Sequence, residues 1–417
     1  MERPLDKETY RYWKMRIWLS LFIGYAFYYF TRKSFVYAMP GLIEELGFDK
    51  AQLGIMSTLF AVSYGASKFF SGILSDKSNP RYFMAFGLFV TGVVTIFFGF
   101  SSSILLFAVF WSLNGWFQGF GWPPCVKYLT QWYPQAERGS WWSSWTVSQN
   151  LGSFLIPWIV GFTLFLFGGW RMGMFVPGMM AIACSFYLLY RLPDSPESVG
   201  LLPVEEKTSE KGPSQVKEVL KNKGIWMLAA AYFFVYIIRS GVGDWMALYL
   251  IEEEGYAKLS ANGIASFFEA GGFLGSLCSG WISDRLFKAK RGPVNLIFAV
   301  ALIAFLPLFW FFPYIRPLTL FLVGFAVFGP QVLIGVAAAE MVNKKAAATA
   351  TGLIGWIAYL GSALAGYPLG KIIDTWGWYG YFVLLSAASV AIVPFLLPSL
   401  KSTPAATPVA LPETSNR

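Results

Sequence analysis

The sequence predicts an all-helical protein that crosses a membrane twelve times. Hydrophobic residues make up 56% of the 417 residues and charged residues 13%, whereas about a quarter of a soluble domain is charged. Apolar runs of about 18 or more residues recur along nearly the whole chain, each long enough for a helix across the ~30 Å hydrocarbon layer. The runs lack the alternation of apolar and polar residues, in segments of about ten, that a transmembrane β-barrel requires. An all-α polytopic membrane protein is therefore expected.

A long polar interruption divides the predicted spans into two sets of six. Residues 193–223 are rich in Pro, Ser, Glu and Lys, a composition typical of a linker. We expect one six-helix half over residues 1–192, a second half over 224–398, and a disordered tail over 399–417. The twelve spans are predicted at 17–38, 52–74, 82–101, 104–131, 140–166, 171–192, 224–251, 261–284, 293–313, 317–342, 347–372 and 378–398.

The basic residues are distributed unequally between the two sides of the membrane. Of the 32 Lys and Arg residues, 22 fall in the termini and the loops on one side, and five in the loops on the other. Because cytosolic loops are enriched in Lys and Arg, both termini, the linker and the tail are predicted to be cytosolic in a multi-pass protein of the cell inner (plasma) membrane. The net charge of +9 lies mostly in these loops and needs no nucleic-acid partner. The polar N-terminus resembles no cleaved secretory signal, and three cysteines in apolar segments predict no disulfide framework.

The chain repeats itself at an offset of about 208 residues. "FSGILSDK" and "CSGWISDR" place Asp76 and Asp284 208 residues apart, and "GWRMGMF" at 169 returns as "GWYGYF" at 377. "NLGS" at 150 likewise returns as "YLGS" at 359. Such self-similarity predicts two homologous halves of six helices, a parallel repeat related by an axis along the membrane normal.

The repeat brings together two intramembrane arginines. "YAFYYFTR" ends at Arg32 and "YFFVYIIR" ends at Arg239, 207 residues later. Both arginines lie about 15 residues into the first helix of their half, where an arginine costs at least ~2.5 kcal/mol on the most lenient scale. A pseudo-twofold axis would place them at one depth, facing each other across a central cavity. Tyrosines three and seven positions earlier share the helical face of each arginine.

Two facing guanidinium groups repel each other and require an anion. The acids within the spans are few: Asp244 points about 140° away from Arg239 on the same helix, and Glu269 lies in the eighth span. A single arginine can be held by helix carbonyls or by an acid of another helix, but two at equivalent positions of a repeat favour a ligand. Guanidinium groups bind phosphate oxygens in pairs, and a phosphate monoester carries close to two charges at neutral pH. The missing anion is therefore predicted to be a phosphate.

Four stretches, "YYFTRKSF", "GWPPC", "ERGSWW" and "RSGVGDW", resemble those of the organophosphate:phosphate antiporters of the major facilitator superfamily. The "SGxxSD" loop of each half is similar to the cytosolic loop of that superfamily. The resemblance covers residues 10–398 except the linker, and is nearest to the hexose-phosphate and glucose-6-phosphate branch. It implies the major facilitator fold, with 12 transmembrane helices forming two six-helix halves around a central cavity.

The resemblance also implies a binding site. Arg32 and Arg239 would hold the phosphate group that inorganic phosphate and a sugar phosphate share, with support from Lys68, Tyr25 and Tyr29. The roles carry over because these residues occupy the matching positions of "YAFYYFTR", "YFFVYIIR" and "ASKFFSG".

One departure from the family concerns the fifth span. The glycerol-phosphate branch has His before Asn, whereas this chain has Gln149 before Asn150 and no His anywhere. That difference argues against glycerol phosphate and against a His proton relay, and we expect both amides to bind sugar hydroxyls. Tyr359 and Trp356 are further candidates, since sugar rings favour aromatic walls, although intramembrane aromatics more often serve packing.

The remaining charges are assigned to charge balance and to a gate. Lys33, Asp244 and Glu269 are expected to balance charge in the resting cavity, and a salt bridge of Lys68 with either acid is the alternative to its role in binding. Charged residues of the two repeated loops are expected to hold the halves together at the cytosolic side: Asp76, Arg81, Asp284 and Arg285.

Three Gly- or Pro-containing stretches predict helix geometry. "GWPPC" at 121 and "FGP" at 328 occupy corresponding positions of the halves, and proline within a helix removes a backbone hydrogen bond. They are candidate flexing points of the fourth and tenth helices. "GGFLG" over 271–275 carries small residues four apart and predicts a close helix contact.

The function expected from the sequence is the exchange of a sugar phosphate, foremost glucose 6-phosphate, for inorganic phosphate by alternating access. The chain shows no P-loop and no catalytic triad, so an enzyme is not expected, and exchange requires no metal or cofactor. Besides substrates and bilayer no partner is needed, and a monomer suffices. Two alternatives stay open: a receptor that senses external glucose 6-phosphate and signals to a membrane histidine kinase, and a transporter of another anion such as nitrate.

Overall fold

The computed structural model describes residues 7–201, 215–342 and 346–401, and this part of the chain consists of helices and connections without a strand. The sixteen residues of the predicted tail from 402 to 417 lie outside the described part, as do residues 202–214 of the linker. The helices are α1 (Lys7–Leu46), α2 (Lys50–Lys77), α3 (Pro80–Phe100), α4 (Ile104–Gln118), α5 (Trp122–Trp132), α6 (Gln135–Phe167), α7 (Met172–Arg191), α8 (Gln215–Lys221), α9 (Lys223–Glu252), α10 (Lys258–Arg285), α11 (Arg291–Phe311), α12 (Arg316–Glu340), α13 (Ala347–Leu364) and α14 (Tyr367–Leu396).

These helices make the twelve predicted passes. Two passes are interrupted: α4 and α5 together form the fourth, and α13 with the first turns of α14 forms the eleventh. The chain reverses inside α14 at Gly377, whose φ of 65° suits a residue without a Cβ atom. The remaining turns of α14 form the twelfth pass, and the short helix α8 belongs to the linker.

The polarity of the passes predicts which of them face the interior. Eight described segments are long and apolar enough to cross a membrane, and the last, Thr349–Leu400, contains the final two passes. The long helices α1, α2 and α10 are absent from that set. They carry the intramembrane charges Arg32, Lys33, Lys68 and Glu269, which are costly next to lipid and belong in the bundle interior.

The two sequence-predicted flexing points differ in the structure. The fourth pass breaks at Gly119–Gly121, and the prolines of "GWPPC" then occupy the first turn of α5, where no backbone donor is lost. In the tenth pass, by contrast, α12 runs unbroken through Pro330.

Close helix contacts occur where the sequence places small residues. A Cβ atom on Gly271 would lie 1.9 Å from the carbonyl oxygen of Phe321, and one on Gly275 would lie 2.2 Å from that of Phe325. Both distances are far inside van der Waals contact. The packing of α10 on α12 thus depends on glycine, as the "GGFLG" stretch predicts.

The helices form two groups that meet along a seam. Helices α1 to α7 pack mainly on one another, as do α9 to α14. Across the seam α2 contacts α13 and α14, α6 contacts α10, and α1 contacts α9. We call the end of the bundle with the α1–α2 connection, residues 47–49, the far end, and the end with the start of α1 the near end.

At the far end, the second group caps a helix of the first. The carboxylate of Asp374 accepts hydrogen bonds from the backbone nitrogens of Lys50 at 3.1 Å and Ala51 at 2.7 Å. Those nitrogens begin α2, so their donors have no partner within the helix, and a negative charge there is favourable. The Lys50 ammonium also pairs with Glu252 of α9 at 3.1 Å.

Closer to the middle of the bundle, residues of α2 contact backbone atoms of the second half. The Thr58 hydroxyl donates to the carbonyl of Ala363 at 2.7 Å and accepts from the nitrogen of Tyr367 at 2.8 Å. A Cβ atom on Gly54 would lie 2.6 Å from the carbonyl oxygen of Gly366. The two groups are therefore closely packed in the far half of the bundle.

At the near end, the described ion pairs stay within one group. Arg81 pairs with Asp194 at 3.6 Å, and Arg291 pairs with Asp284 and, at 3.0 Å, with Glu340. The sequence-predicted gate residue Arg285 is exposed, and the side chain of Asp76 lies outside the described residues. None of the ion pairs and side-chain hydrogen bonds given for the described residues joins the two groups at this end. In this conformation Arg81 and Asp284 pair within their own halves, and the polar contacts across the seam described above lie in the far half of the bundle.

Removal of the Asp374 carboxylate is expected to loosen the far end. Asp374→Ala removes the carboxylate that bonds the start of α2 from across the seam. Asp49→Ala is the control: it removes a cap of α2 that comes from the same half, because the Asp49 carboxylate accepts a hydrogen bond from the backbone nitrogen of Gln52. Each loss costs about 1 kcal/mol of local stability. Spin labels at cysteines replacing Leu46 and Thr375, in a background without native cysteines, would report the separation by double electron–electron resonance.

We expect longer and broader distances in Asp374→Ala and an unchanged distribution in Asp49→Ala. The same distribution in both variants would show that the contact across the seam does not hold the far end closed.

Candidate functional site

A cavity of about 60 Å³ lies on the seam between the halves. Helices α1, α2 and α4 of the first half and α9 and α13 of the second contribute its wall. The repeat-related arginines Arg32 and Arg239 both line it. The lining residues are Tyr29, Arg32, Lys33, Phe35, Val36, Ser57, Phe60, Ala61, Trp111, Arg239, Ser240, Asp244, Tyr359 and Ser362.

Arg32 rests on aromatic rings rather than on a carboxylate. Its guanidinium carbon lies 4.0 Å from the centroid of the Tyr64 ring and 4.9 Å from that of Tyr29. One terminal nitrogen, Nη1, donates to the Tyr29 hydroxyl at 3.0 Å. The other two nitrogens, Nε and Nη2, are buried without a hydrogen-bond partner. Two donors of a buried cation are thus free for a ligand, because buried polar groups are otherwise almost always bonded.

Arg239 has a matching environment in the second half. Its guanidinium carbon lies 5.2 Å from the ring centroid of Phe328 and 5.4 Å from that of Tyr236. Its Nε is buried without a partner. Neither Arg239 nor Arg32 takes part in any of the ion pairs of the described residues. Cation–π contacts of this kind stabilise a desolvated cation by about 2 kcal/mol, which is less than the cost of burying an unpaired charge.

Lys33 and Asp244 form an ion pair across the seam. The Lys33 ammonium lies 2.6 Å from the Asp244 carboxylate and 3.3 Å from the carbonyl oxygen of Gly243. Both side chains are largely buried, with 14% and 20% exposed. Asp244 is the acid nearest in sequence to Arg239. Because its carboxylate is bonded to Lys33, it is not available to either arginine.

Glu269 is the second buried acid near the site. It is 7% exposed and borders a smaller cavity with Tyr37, Gly243 and Phe268. It interacts electrostatically with Arg239, Lys33 and Asp244, but it forms none of the ion pairs within 4.0 Å in the described chain. The acid attracts the basic residues from a distance and leaves Nε and Nη2 of Arg32 and Nε of Arg239 without a hydrogen-bond partner.

Lys68 lies in a cage of aromatic rings. Its ammonium is 5.3 Å from the ring centroid of Trp122, 5.5 Å from that of Tyr359 and 5.8 Å from that of Tyr64. It does not line the cavity, because α2 carries it two helical turns beyond Ala61 toward the near end. Its salt bridge with Asp244 or Glu269, the alternative left open by the sequence, is not formed in this structure.

One of the predicted tyrosines and one of the predicted amides form a hydrogen-bonded chain behind Arg32. The Tyr29 hydroxyl accepts from Arg32 and donates to the Gln149 side-chain oxygen at 3.1 Å. Asn150 is buried, and its amide nitrogen has no hydrogen-bond partner. Tyr25 packs against Trp145 with ring centroids 5.0 Å apart. Tyr25, Gln149 and Asn150 therefore stand behind the cavity wall rather than on it.

The two aromatic candidates of the eleventh pass have different positions. Tyr359 lines the cavity, and its ring packs edge to face on Tyr64 at 4.7 Å and on Tyr236 at 5.3 Å. Trp356 is 51% exposed and does not line the cavity. It precedes Tyr359 by one helical turn, which places it nearer the near end.

Sequence reasoning missed Tyr64 and the serines of the cavity. Tyr64 is 2% exposed and joins the two halves, because its ring contacts both Arg32 and Tyr359. Its position four residues before Lys68, on the same helical face, is a signal that could have revealed it. Ser240 and Ser362 are common residues in ordinary spacing, and only the fold shows that they share the cavity.

Comparison with known proteins identifies the family of the chain. Residues 21–366 match the profile of the Major Facilitator Superfamily. The chain belongs to that superfamily of membrane transporters. Within it, the chain belongs to the organophosphate:phosphate antiporter family, in the branch of the hexose-phosphate transporters, as its relatives show.

The relatives are bacterial and match over nearly their full length. A probable hexose phosphate transport protein of Chlamydia pneumoniae is 50% identical, covering 95% of this chain and 93% of the relative. The membrane sensor protein UhpC of Escherichia coli is 44% identical, covering 94% and 93%. The glycerol-3-phosphate transporter of Bacillus subtilis is 37% identical, covering 93% and 92%.

Solved structures share the fold at low sequence identity. A bacterial homologue of the human lysosomal transporter Spinster, inward-facing and unoccupied, matches with a TM-score of 0.75 at 16% identity, covering 93% of this chain and 95% of that one. The nucleoside transporter NupG matches with a TM-score of 0.73 at 14% identity, covering 92% and 100%. These similarities establish the major facilitator fold of the chain.

The Lys33–Asp244 pair is expected to be strongly coupled. Lys33→Met or Asp244→Asn alone leaves a largely buried charge without its partner, at a cost of about 2–3 kcal/mol, whereas the double variant removes both charges and recovers most of that loss. A double-mutant cycle on the apparent melting temperature of the purified protein measures this coupling.

The matched control is the exposed pair Lys258–Glu44, which also joins the halves but has side chains 40% and 60% exposed. Its coupling should be near zero, since exposed ion pairs contribute little. Equal coupling in the two cycles would mean that burial does not govern the Lys33–Asp244 interaction.

Proposed function

We propose that the protein exchanges a sugar phosphate, foremost glucose 6-phosphate, for inorganic phosphate by alternating access. The observation that carries the proposal is the pair of buried guanidinium groups, one from each half, with unpartnered nitrogens and one shared cavity. A phosphate group offers several oxygens and close to two negative charges. It therefore satisfies both arginines at once, as paired guanidinium groups require.

The relatives support the sugar phosphate as the organic substrate. Those named hexose phosphate transport proteins are 48–50% identical to this chain, more than the 37% identical glycerol-3-phosphate transporter of Bacillus subtilis. The absence of His from the sequence, with Gln149 before Asn150, fits the same branch.

The charge of the empty site gives a reason for obligatory exchange. Closing both ends around an empty cavity would desolvate Arg32 and Arg239 together without a counter-ion, at a cost of several kcal/mol. Bound phosphate neutralises the pair and permits closure. Each passage through the closed state then carries a substrate, so that phosphate leaves on one half-cycle and the sugar phosphate enters on the other.

In the same proposal the halves rock about the central site. The far-end contacts, Asp374 with the start of α2 among them, separate when that end opens. At the near end, Arg81 and Asp284 then exchange their partners within each half for partners across the seam. Asp76 and Arg285 take part in the same closure. The protein lies in a bacterial inner membrane, and its near end, which holds most of the basic residues, faces the cytosol. The two halves form a complete pathway, so a monomer suffices.

A second candidate function is that of a receptor. The specific observation in its favour is the 44% identity to a protein named membrane sensor, over 94% of this chain. In this case the site binds external glucose 6-phosphate, and the rearrangement of the halves is read by a membrane histidine kinase. Binding would be retained and flux would be slow.

Exchange in proteoliposomes tests the proposal. We expect saturable uptake of labelled glucose 6-phosphate only when phosphate is trapped inside, and loss of that uptake by at least about a hundredfold in Arg32→Lys and Arg239→Lys, because a lysine cannot bind phosphate bidentately. Arg171→Lys, at a partly exposed far-end arginine that pairs with Glu45, serves as the matched control and should transport normally.

Tight binding of glucose 6-phosphate with negligible flux would reject the exchange function and favour the receptor. Uptake that persists in both cavity variants, or that needs no internal phosphate, would refute the role of the paired arginines in exchange.

A further inference from the structure

We infer that Ser240 and Ser362 form a hydroxyl subsite that donates a hydrogen bond to the phosphate group, which in this conformation lies deeper in the cavity than the organic part of the substrate. The inference deepens the proposed function and rests on it for the identity of the ligand. It adds two binding residues and an orientation of the substrate in the site.

The cavity lies on the far side of the arginines. Helices α1 and α9 both run from the near end to the far end. Of the lining residues, Lys33 and Val36 follow Arg32 along α1, and Ser240 and Asp244 follow Arg239 along α9. On these two helices only Tyr29 precedes its arginine, so most of the cavity lies beyond the arginines. A ligand that enters from the near end therefore meets the arginines first and reaches the cavity behind them.

The two serines face each other across the wall of this cavity. The Ser240 hydroxyl of α9 and the Ser362 hydroxyl of α13 are 2.6 Å apart, and both residues line the cavity. Ser240 is 8% exposed. The second half of the bundle thus places a pair of hydroxyls next to Arg239.

These serines differ from other helical serines of the same half. Ser266, Ser279 and Ser389 each donate to the backbone carbonyl three residues earlier, the usual local bond of a serine within a helix. The structure shows no such bond for Ser240 or Ser362, whose hydrogen bond is to each other.

The two serine hydroxyls together have one proton more than their mutual hydrogen bond uses. Each hydroxyl has a single proton. When one serine donates to the other, the second keeps its own proton free, and the adjacent space is the cavity. Together with Nε of Arg239 and with Nε and Nη2 of Arg32, this proton completes a set of donors without acceptors. Phosphate oxygens are acceptors, and the set suits them.

The size of the cavity fixes which part of the substrate it takes. A volume of about 60 Å³ holds roughly four to six water-sized groups at 10–15 Å³ each. That is the size of a phosphate group and far less than a hexose phosphate. The sugar must therefore lie toward the near end, on the side of Lys68 and of the Trp122 ring, over which the Lys68 ammonium lies at 5.3 Å.

Phosphate binding to the purified protein, measured by titration calorimetry, tests the subsite. We expect the double variant Ser240→Ala/Ser362→Ala to weaken binding of inorganic phosphate and of glucose 6-phosphate by the same factor, roughly tenfold or more, since a hydrogen bond to a charged group is lost. Ser240→Thr/Ser362→Thr keeps both hydroxyls and should bind phosphate within about threefold of wild type.

Two further variants serve as controls of position. Ser389→Ala removes a buried hydroxyl of α14 that bonds its own helix and should leave both affinities unchanged. Trp122→Leu should weaken glucose 6-phosphate and spare inorganic phosphate, because only the sugar reaches that ring.

The outcomes separate this inference from the proposed function. A folded alanine double variant that binds phosphate as wild type does, or that loses only the sugar phosphate, would overturn the subsite, and so would a wild type that binds no phosphate. A wild type that binds phosphate and loses affinity in the double variant, yet shows no exchange in proteoliposomes, would leave the subsite standing and reject the exchanger.

Discussion

The site depends on two buried cations that form no ion pair within the part of the chain that the structure describes. Arg32 and Arg239 reach one cavity from opposite halves, and aromatic rings rather than carboxylates surround them. Such rings favour a cation through their quadrupoles but accept no hydrogen bond in the plane of the guanidinium group. The free donors make the site complementary to an anion, and the uncompensated charge makes the empty state costly to close.

The placement of the acids preserves this imbalance. Asp244 is held by Lys33 across the seam at 2.6 Å, and Glu269 lies near the basic residues without pairing with either arginine. A carboxylate bonded to Arg32 or Arg239 would compete with the ligand for the same nitrogens. The buried acids thus reduce the electrostatic cost of the basic cluster while its hydrogen-bonding capacity stays available.

The two ends of the bundle are built from different interactions. At the far end, polar groups of the second half bond backbone donors of the first, as Asp374 does with Lys50 and Ala51. At the near end, Arg81 and Arg291 pair with acids of their own half. In the proposed mechanism these contacts exchange between partners within and across the halves, which requires two conformations of similar free energy.

The sequence by itself determined the helical membrane fold, the repeat and the pairing of Arg32 with Arg239, because hydrophobic length, loop charge and self-similarity are properties of the chain alone. Only the tertiary structure decided that Lys33 pairs with Asp244, that Tyr64 carries Arg32, and that Ser240 meets Ser362. Trp356 was placed on the substrate wall from its residue type, yet the structure leaves it half exposed and off the cavity. The physical reason is that each of these contacts joins side chains of two different helices. Their rotation and depth are set by the packing of the whole bundle and not by local periodicity.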